Sequence, residues 1–215
     1  SAAGRPTNGS SGDTNATFEY DGSSWTSVNA ANLAARTRQS FGIQTAAAMV
    51  GGFSQSGGSY TNATEEYDGT NWTTVTVMPA ATASANAIGT QTAAIVSLGG
   101  APTVATTYVA YDGTNWTSSP SANIARARSA AGGTGATSTA GLVIGGTPYN
   151  PSVVAETWDG TSWANSASIT TARYGAGVSD GNTNGIIAGG RTAPGFETAV
   201  EEFTVVTTAR NITTS

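Results

Sequence analysis

The sequence predicts an all-β chain built from five repeats of a four-stranded unit, and three observations carry that expectation. The motif aromatic-Asp-Gly-x-x-Trp recurs at Tyr20 to Trp25, Tyr67 to Trp72, Tyr111 to Trp116 and Trp158 to Trp163. Gly-Gly doublets stand ahead of the last three motifs and of Phe203, at Gly51-Gly52, Gly99-Gly100, Gly145-Gly146 and Gly189-Gly190, with Ala3-Gly4 in the corresponding place before Tyr20. Upstream of the doublets lie small-residue segments: Ala35-Arg36-Thr37-Arg38, Ala83-Ser84-Ala85, Ala125-Arg126-Ala127-Arg128 and Thr171-Ala172-Arg173, with Thr208-Ala209-Arg210 repeating the pattern near the end.

Each unit is read in that order. The small-residue segment, usually with arginine, is taken as the first strand. The apolar run closed by Gly-Gly, such as Leu142-Val143-Ile144, is the second. A third strand ends in the aromatic, an Asp-Gly turn follows because both residues tolerate positive φ, and a fourth strand opens with Trp25, Trp72, Trp116 or Trp163. Phe203 marks a fifth, degenerate copy. Four short strands in about 45 residues is the period of a propeller blade.

The expected fold is therefore a single β-propeller domain over residues 1–215, with blades at about 31–78, 79–121, 122–168 and 169–206. A closing blade combines 1–30 with 204–215. The chain begins at the end of a second strand and stops just after a first strand, so the C-terminal strand is expected to complete the N-terminal blade. The competing expectation is five units cut from a longer array.

Composition fits this architecture and narrows the chemistry. Charged residues make up 10% of the chain, against about 25% in typical domains. Glycine contributes 28 residues, and the abundance of Thr, Ser, Asn and Ala favours turns and strands over helices. The net charge of −5 argues against a nucleic-acid partner. All 8 basic residues are arginine, and there is no histidine or cysteine. That removes disulfides, imidazole and thiolate catalysis and nearly every zinc or copper site. No apolar run approaches the roughly 18 residues of a membrane span. Ser1-Ala2-Ala3-Gly4 has neither an initiator Met nor a basic-then-apolar leader, which fits a processed or trimmed end and leaves export open.

With these motifs in register, the chain resembles the kelch-repeat family, whose units carry an arginine in the first strand, Gly-Gly after the second, an aromatic in the third and Trp in the fourth. The resemblance implies a propeller and leaves function open, since propellers host enzymes, receptors and scaffolds alike. The copper chemistry known on one kelch propeller needs His and a Cys cross-link that are absent here. The Asp-Gly-x-x-Trp turn is similar to the Asp-box of sialidases, but Asp and Gly are adjacent and the preceding Ser is missing.

Candidate ligand-binding residues fall in two groups, each with a structural alternative. Arg36, Arg126 and Arg173, with Arg38, Arg128 and Arg210, are expected near a central channel. There they would grip an anionic ligand or pair with third-strand carboxylates Glu19, Glu65, Glu66, Glu156, Glu201 and Glu202. The second unit is read as combining Glu65-Glu66 with the arginine-free segment Ala83-Ser84-Ala85. Tyr60, Tyr149, Phe53 and Phe196, in the inter-blade loops, would stack on sugar rings or do nothing. Asp21, Asp68, Asp112 and Asp159 would ligate calcium or bond their own turns. Trp25, Trp72, Trp116 and Trp163, with Gly52, Gly100, Gly146 and Gly190, are expected to be structural: Trp as inter-blade packing, Gly for bulges or close backbone approach. Six Asn-x-Ser/Thr triplets, at Asn8, Asn15, Asn62, Asn71, Asn115 and Asn211, matter only in a glycosylating host.

No catalytic residue, metal or cofactor is expected. The composition and near-identical repeats are similar to those of propellers in phage structural proteins and secreted bacterial surface proteins. The expected function is a non-enzymatic module on an extracellular or virion surface, binding glycans or a host surface, or serving as a fibre or decoration domain. Expected partners are glycans or other virion and surface proteins, without membrane insertion, and an oligomer is compatible with this. The alternatives are a kelch-type protein-interaction scaffold and, further off, a glycan-active enzyme, which would need convergent carboxylates.

Overall fold

The computed structural model describes residues 2–4, 12–123, 130–132, 138–147, 151–178, 184–192 and 195–204. Among them the regular elements are strands, with no helix. The first sheet holds β1 (Ala2–Gly4), β2 (Thr14–Tyr20) and β3 (Trp25–Val28). The second holds β4 (Gln39–Ile43), β5 (Ala46–Val50), β8 (Thr64–Tyr67) and β9 (Trp72–Val75), with the hairpin β6 (Phe53–Ser54) and β7 (Ser59–Tyr60) projecting between β5 and β8. The third comprises β10 (Ala87–Thr90), β11 (Ala93–Ser97), β12 (Tyr108–Tyr111) and β13 (Trp116–Ser119). The fourth comprises β14 (Ala130–Gly132), β15 (Gly141–Ile144), β16 (Ala155–Trp158) and β17 (Trp163–Ser166). The fifth comprises β18 (Gly177–Val178), β19 (Asn184–Ala188) and β20 (Val200–Thr204). All pairings are antiparallel between chain neighbours, apart from the β6–β7 excursion. Thr204, expected at the start of the closing blade, ends β20 of the fifth sheet.

The Asp-Gly turns work as the sequence suggests. Asp68 Oδ1 accepts the backbone N–H groups of Thr70 and Asn71 at 2.8 and 2.7 Å, and Gly69 sits at φ +90°. Asp21, Asp112 and Asp159 repeat the arrangement. Each turn brings its aromatic opposite its tryptophan across the strand pair, with ring centroids 4.6 to 5.3 Å apart.

One assignment is corrected. The described segments 35–38, 83–85 and 171–173 are not the first strands: β4 begins at Gln39, after Arg36 has made an isolated bridge to Phe53, and β10 and β18 begin at Ala87 and Gly177. The reason is local, because Thr37 has φ 54° and a left-handed residue interrupts a strand. These segments are straps that cross the Gly-Gly end of a sheet before each inner strand starts.

In the second and fourth sheets the first residue of the doublet is glycine because a later strap presses on it. A Cβ on Gly51 would lie 2.3 Å from the Thr82 carbonyl oxygen, and one on Gly145 would lie 2.4 Å from that of Arg173. Gly52 and Gly146 donate their N–H groups to those same carbonyls. The doublet of one sheet is thereby locked to the strap of a later segment.

Consecutive sheets pack face to face, with one buried cluster at each junction. Between the second and third sheets, Phe41, Ala48 and Val50 meet Ala94, Val96 and Tyr111. Between the third and fourth, Ile88, Ile95 and Tyr108 meet Val143, Trp158 and Trp163. Leu142, Ile144 and Ala155 meet Ile187 at the next junction. Met49, Tyr67 and Trp72, with Val28, form the first. Indole N–H groups reach back across these junctions: Trp72 to Thr17 Oγ1, Trp116 to the Thr76 carbonyl and Trp163 to the Pro120 carbonyl. Trp25 differs, being 60% exposed on the outer face of the first sheet.

Trp163 is 8% exposed and packs at a tilt against the rings of Trp158 and Tyr108. Trp163→Ala is expected to cost about 3–5 kcal/mol in denaturant unfolding. Trp163→Phe, which keeps a ring and loses the bond to Pro120, should cost less than half as much.

Candidate functional site

Two arginines in different sheets occupy one kind of slot. Arg38 donates to the carbonyls of Gly51, Leu33 and Met49 and pairs with Glu65. Arg173 donates to the carbonyls of Thr171, Gly189 and Ala199 and pairs with Glu201. Leu33 and Thr171, Gly51 and Gly189, and Glu65 and Glu201 are matching positions in the two units. The arginines themselves are not matched in sequence. Tyr174 bridges Arg191 as Arg36 bridges Phe53, so Arg173 enters its slot from before that bridge and Arg38 from after it.

The carboxylates complete the lock. Glu65 Oε1 accepts the N–H groups of Asn32 and Leu33, and Glu201 accepts those of Thr170 and Thr171. Glu156, also buried, accepts the N–H of Asn123 at 2.7 Å. In the third sheet Val109 stands at the glutamate position and Ala83-Ser84-Ala85 supplies no arginine. Both charges are missing from that sheet together.

This accounts for several candidate residues. Arg173 is fully buried with its guanidinium occupied by Glu201 and backbone carbonyls, which is the carboxylate pairing given above as the alternative to a ligand grip. Arg36 pairs with Asp13 at 3.0 Å, bonds Gln55 and lies over the Phe53 ring at 4.5 Å. Its charge serves contacts between the first two sheets. Glu65-Glu66 belongs to the unit of Arg38, and the reading that joined it to Ala83-Ser84-Ala85 is corrected. Arg126, Arg128 and Arg210 lie outside the described residues.

The other polar repeats are likewise engaged. Hydrogen bonds from Ser24 and Ser23 hold the Asp21 carboxyl far below its ordinary range, and similar turns lower Asp68, Asp112 and Asp159. Tyr67 donates its hydroxyl to Glu19 and Tyr111 donates to Glu66, each across a junction between sheets. Desolvation, then the carboxylate, pushes Tyr67 up to about 12 and Tyr111 higher still.

Phe53 and Tyr60 pack edge to face at 5.2 Å in the β6–β7 hairpin, away from Phe196. Tyr149 lies outside the described residues. Phe196 does line a concavity, about 440 Å³ in volume, with Thr37, Ser84, Tyr174, Gly175, Gly190 and Arg191. The straps of the second, third and fifth sheets thus converge on one opening, here called the mouth. Sequence reasoning singled out only Phe196 among these residues as a ligand-binding candidate. A signal for Arg191 existed: it follows Gly189-Gly190 as Phe53 follows Gly51-Gly52. A second cleft, about 290 Å³, lies between the first and second sheets and is walled by Tyr20, Trp25, Phe41, Tyr67 and Trp72.

No family model and no curated protein matches the sequence. Among solved structures, the chain is similar to YjhT, with a TM-score of 0.73 and 15% identity, covering 90% of this chain and 74% of that one. At that identity the likeness is one of fold.

Two outcomes are expected. Arg173→Met leaves Glu201 beside an apolar neighbour and should cost about 3–5 kcal/mol. Adding Glu201→Val, which reproduces the residue type of the third sheet, should recover most of that loss in a double-mutant cycle. For pH, an unfolded tyrosine ionises near 10 while folded Tyr67 keeps its proton to about 12. Stability is therefore full below 10 and falls as pH rises through 12, and Tyr67→Phe should flatten that decline in alkaline unfolding titrations.

Proposed function

We propose that the five sheets are blades of a kelch-like β-propeller ring, and that the chain is a non-enzymatic module exposed on an extracellular or virion surface, where it binds glycans. The observation that carries the binding role is the mouth, an open concavity offering aromatic, hydroxyl and guanidinium groups. The carboxylates, by contrast, are dispersed. Glu65 and Glu201 neutralise arginines, Glu19 and Glu66 hold tyrosines, and the turn aspartates bond their own backbones. Acid/base hydrolysis of a glycoside requires two carboxyls facing one bond, which this allocation disfavours.

Ring closure is supported by two complementary faces. Val200 of the fifth sheet matches Thr17, the residue under Trp72, and is 63% exposed. Glu202 matches Glu19 and Glu66, the acceptors for tyrosine, and is exposed. On the first sheet Tyr20 and Trp25 occupy the positions of Tyr67 and Trp72 and are exposed. In a closed ring Trp25 covers Val200 and Tyr20 reaches Glu202. The likeness to YjhT supports a ring of repeated sheets. The C-terminal strand expected to complete the first blade lies outside the described residues. The same faces also favour a second reading, a fibre or decoration role, because pairing between chains would be head to tail and would propagate.

Closure and assembly separate in one experiment. In a closed ring Trp25→Ala should destabilise by about 3–5 kcal/mol, as for the buried tryptophans, at every protein concentration. A cost under about 0.5 kcal/mol, typical of a surface change, would sink closure. A concentration-dependent cost would favour assembly between chains. For the binding role, saturable retention of the protein on a broad glycan array and on intact bacterial surfaces is expected; no retention at high concentration would leave the fibre role.

A further inference from the structure

Arg191 is the one cation among the described residues that pairs with no described carboxylate. Arg38, Arg173 and Arg36 are each matched by Glu65, Glu201 and Asp13. Arg191 bonds Tyr174 through its backbone, and its guanidinium lies 5.7 Å from the centroid of the Phe196 ring. The nearby Glu197 turns its Oε1 to the N–H groups of Thr198 and Ala199. In a chain of net charge −5, this leaves a positive spot at the mouth.

The lining of the mouth supplies a second, independent observation. Among the described residues Thr37 and Ser84 are the two non-glycine residues with positive φ, both at 54°, and both line the mouth from different straps. Gly175, the matching position of the fifth sheet, has φ +61° and lines it too. A β-branched threonine in the left-handed region is strained, and such strain gathers where a binding geometry is held in place. Here it fixes two residues that carry side-chain hydroxyls on the same cavity lining as Arg191. Phe196, 85% exposed, flanks them with a bare aromatic face.

We propose that the mouth is a subsite for a carboxylate-bearing saccharide. The guanidinium of Arg191 takes the carboxylate through paired N–H donors. The ring of Phe196 stacks on the apolar face of the sugar. Thr37, whose hydroxyl donates to the Arg36 carbonyl, accepts from a sugar hydroxyl, and Ser84 donates or accepts. This rests on the glycan-binding reading above and names its ligand class and its residues.

The test is calorimetric titration of the whole chain with uronate and sialyl oligosaccharides, their neutral counterparts and a sulfated galactan. Variants are Arg191→Gln, Phe196→Ala and Ser84→Gly, the last keeping the left-handed backbone without strain. Binding to a carboxylated member is expected, falling about tenfold or more in Arg191→Gln and in high salt, and severalfold in the other two. Thermal unfolding should be unchanged in Arg191→Gln, since that guanidinium braces nothing buried. Neutral glycans bound as tightly, or Arg191→Gln without effect, would overturn the subsite while leaving glycan binding intact. Preference for the sulfated polymer would overturn the carboxylate assignment. Failure to bind any saccharide would remove both this inference and the reading beneath it.

Discussion

The structure depends on one contact made again at the first three junctions, while the fourth is closed by the aliphatic residues Leu142, Ile144, Ile169 and Ile187. The aromatic pair at the turn end of a sheet lies against the branched or small face of the sheet before it, and the indole N–H bonds backwards into that neighbour. A single three- or four-stranded sheet of this size has two faces and too few large residues to bury both by itself. Burial comes from stacking, and the first three junctions are stabilised by roughly the same group of side chains. Energetically this is a chain of nearest neighbours, in which the second, third and fourth sheets are held on both sides and the first and fifth present the two faces that the proposed ring would join. The exposure of Trp25 and Val200 follows from that arithmetic, since each stands where an internal sheet would have a neighbour.

Charge is handled by the same economy. With so few charged residues, most described ones are engaged in a repeated bond: strap to third strand, tyrosine to glutamate, or turn to its own aspartate. The third sheet shows how the strap lock is removed without harm. It lacks Arg and Glu at once, with valine in the glutamate position, which avoids leaving either charge buried alone. Burying a matched pair or an apolar pair is tolerable; burying half a pair is not.

Much of the architecture was legible because the repeats carry it in short-range chemistry. Asp-Gly before Trp specifies a turn, and the aromatic and tryptophan on either side of it must meet across the strands. The Gly-Gly positions were legible as close approaches, though what approaches them, the strap carbonyls of Thr82 and Arg173, comes from a later unit and leaves no local trace. The strap itself was misread as a strand for a related reason. Small residues flanking arginine fit an inner strand, and nothing in the sequence marks Thr37 as left-handed. Arg38 and Arg173 were harder still, because two guanidiniums filling matching slots start from unmatched positions. Side-chain length absorbs the shift, and alignment of the repeats hides it.

The straps join stability to the mouth. Thr37 stands beside Arg38, whose guanidinium is fastened to Glu65 and three carbonyls, and Tyr174 stands beside Arg173, fastened in the same manner. Ser84 has no such neighbour, but Ser84 donates its N–H to the Thr37 carbonyl, and Ala83 bonds Ala101. The mouth-lining residues therefore take their positions from locks one residue away, and through Thr37 the second strap also fixes the third. Side chains at the mouth vary between units, from Thr to Ser to Gly at one position, while the backbone there keeps its left-handed turn. A buried, nearly uniform framework with a variable rim is the arrangement in which recognition can be altered without disturbing the fold, and Arg191, the arginine without a carboxylate partner among the described residues, lies on that rim.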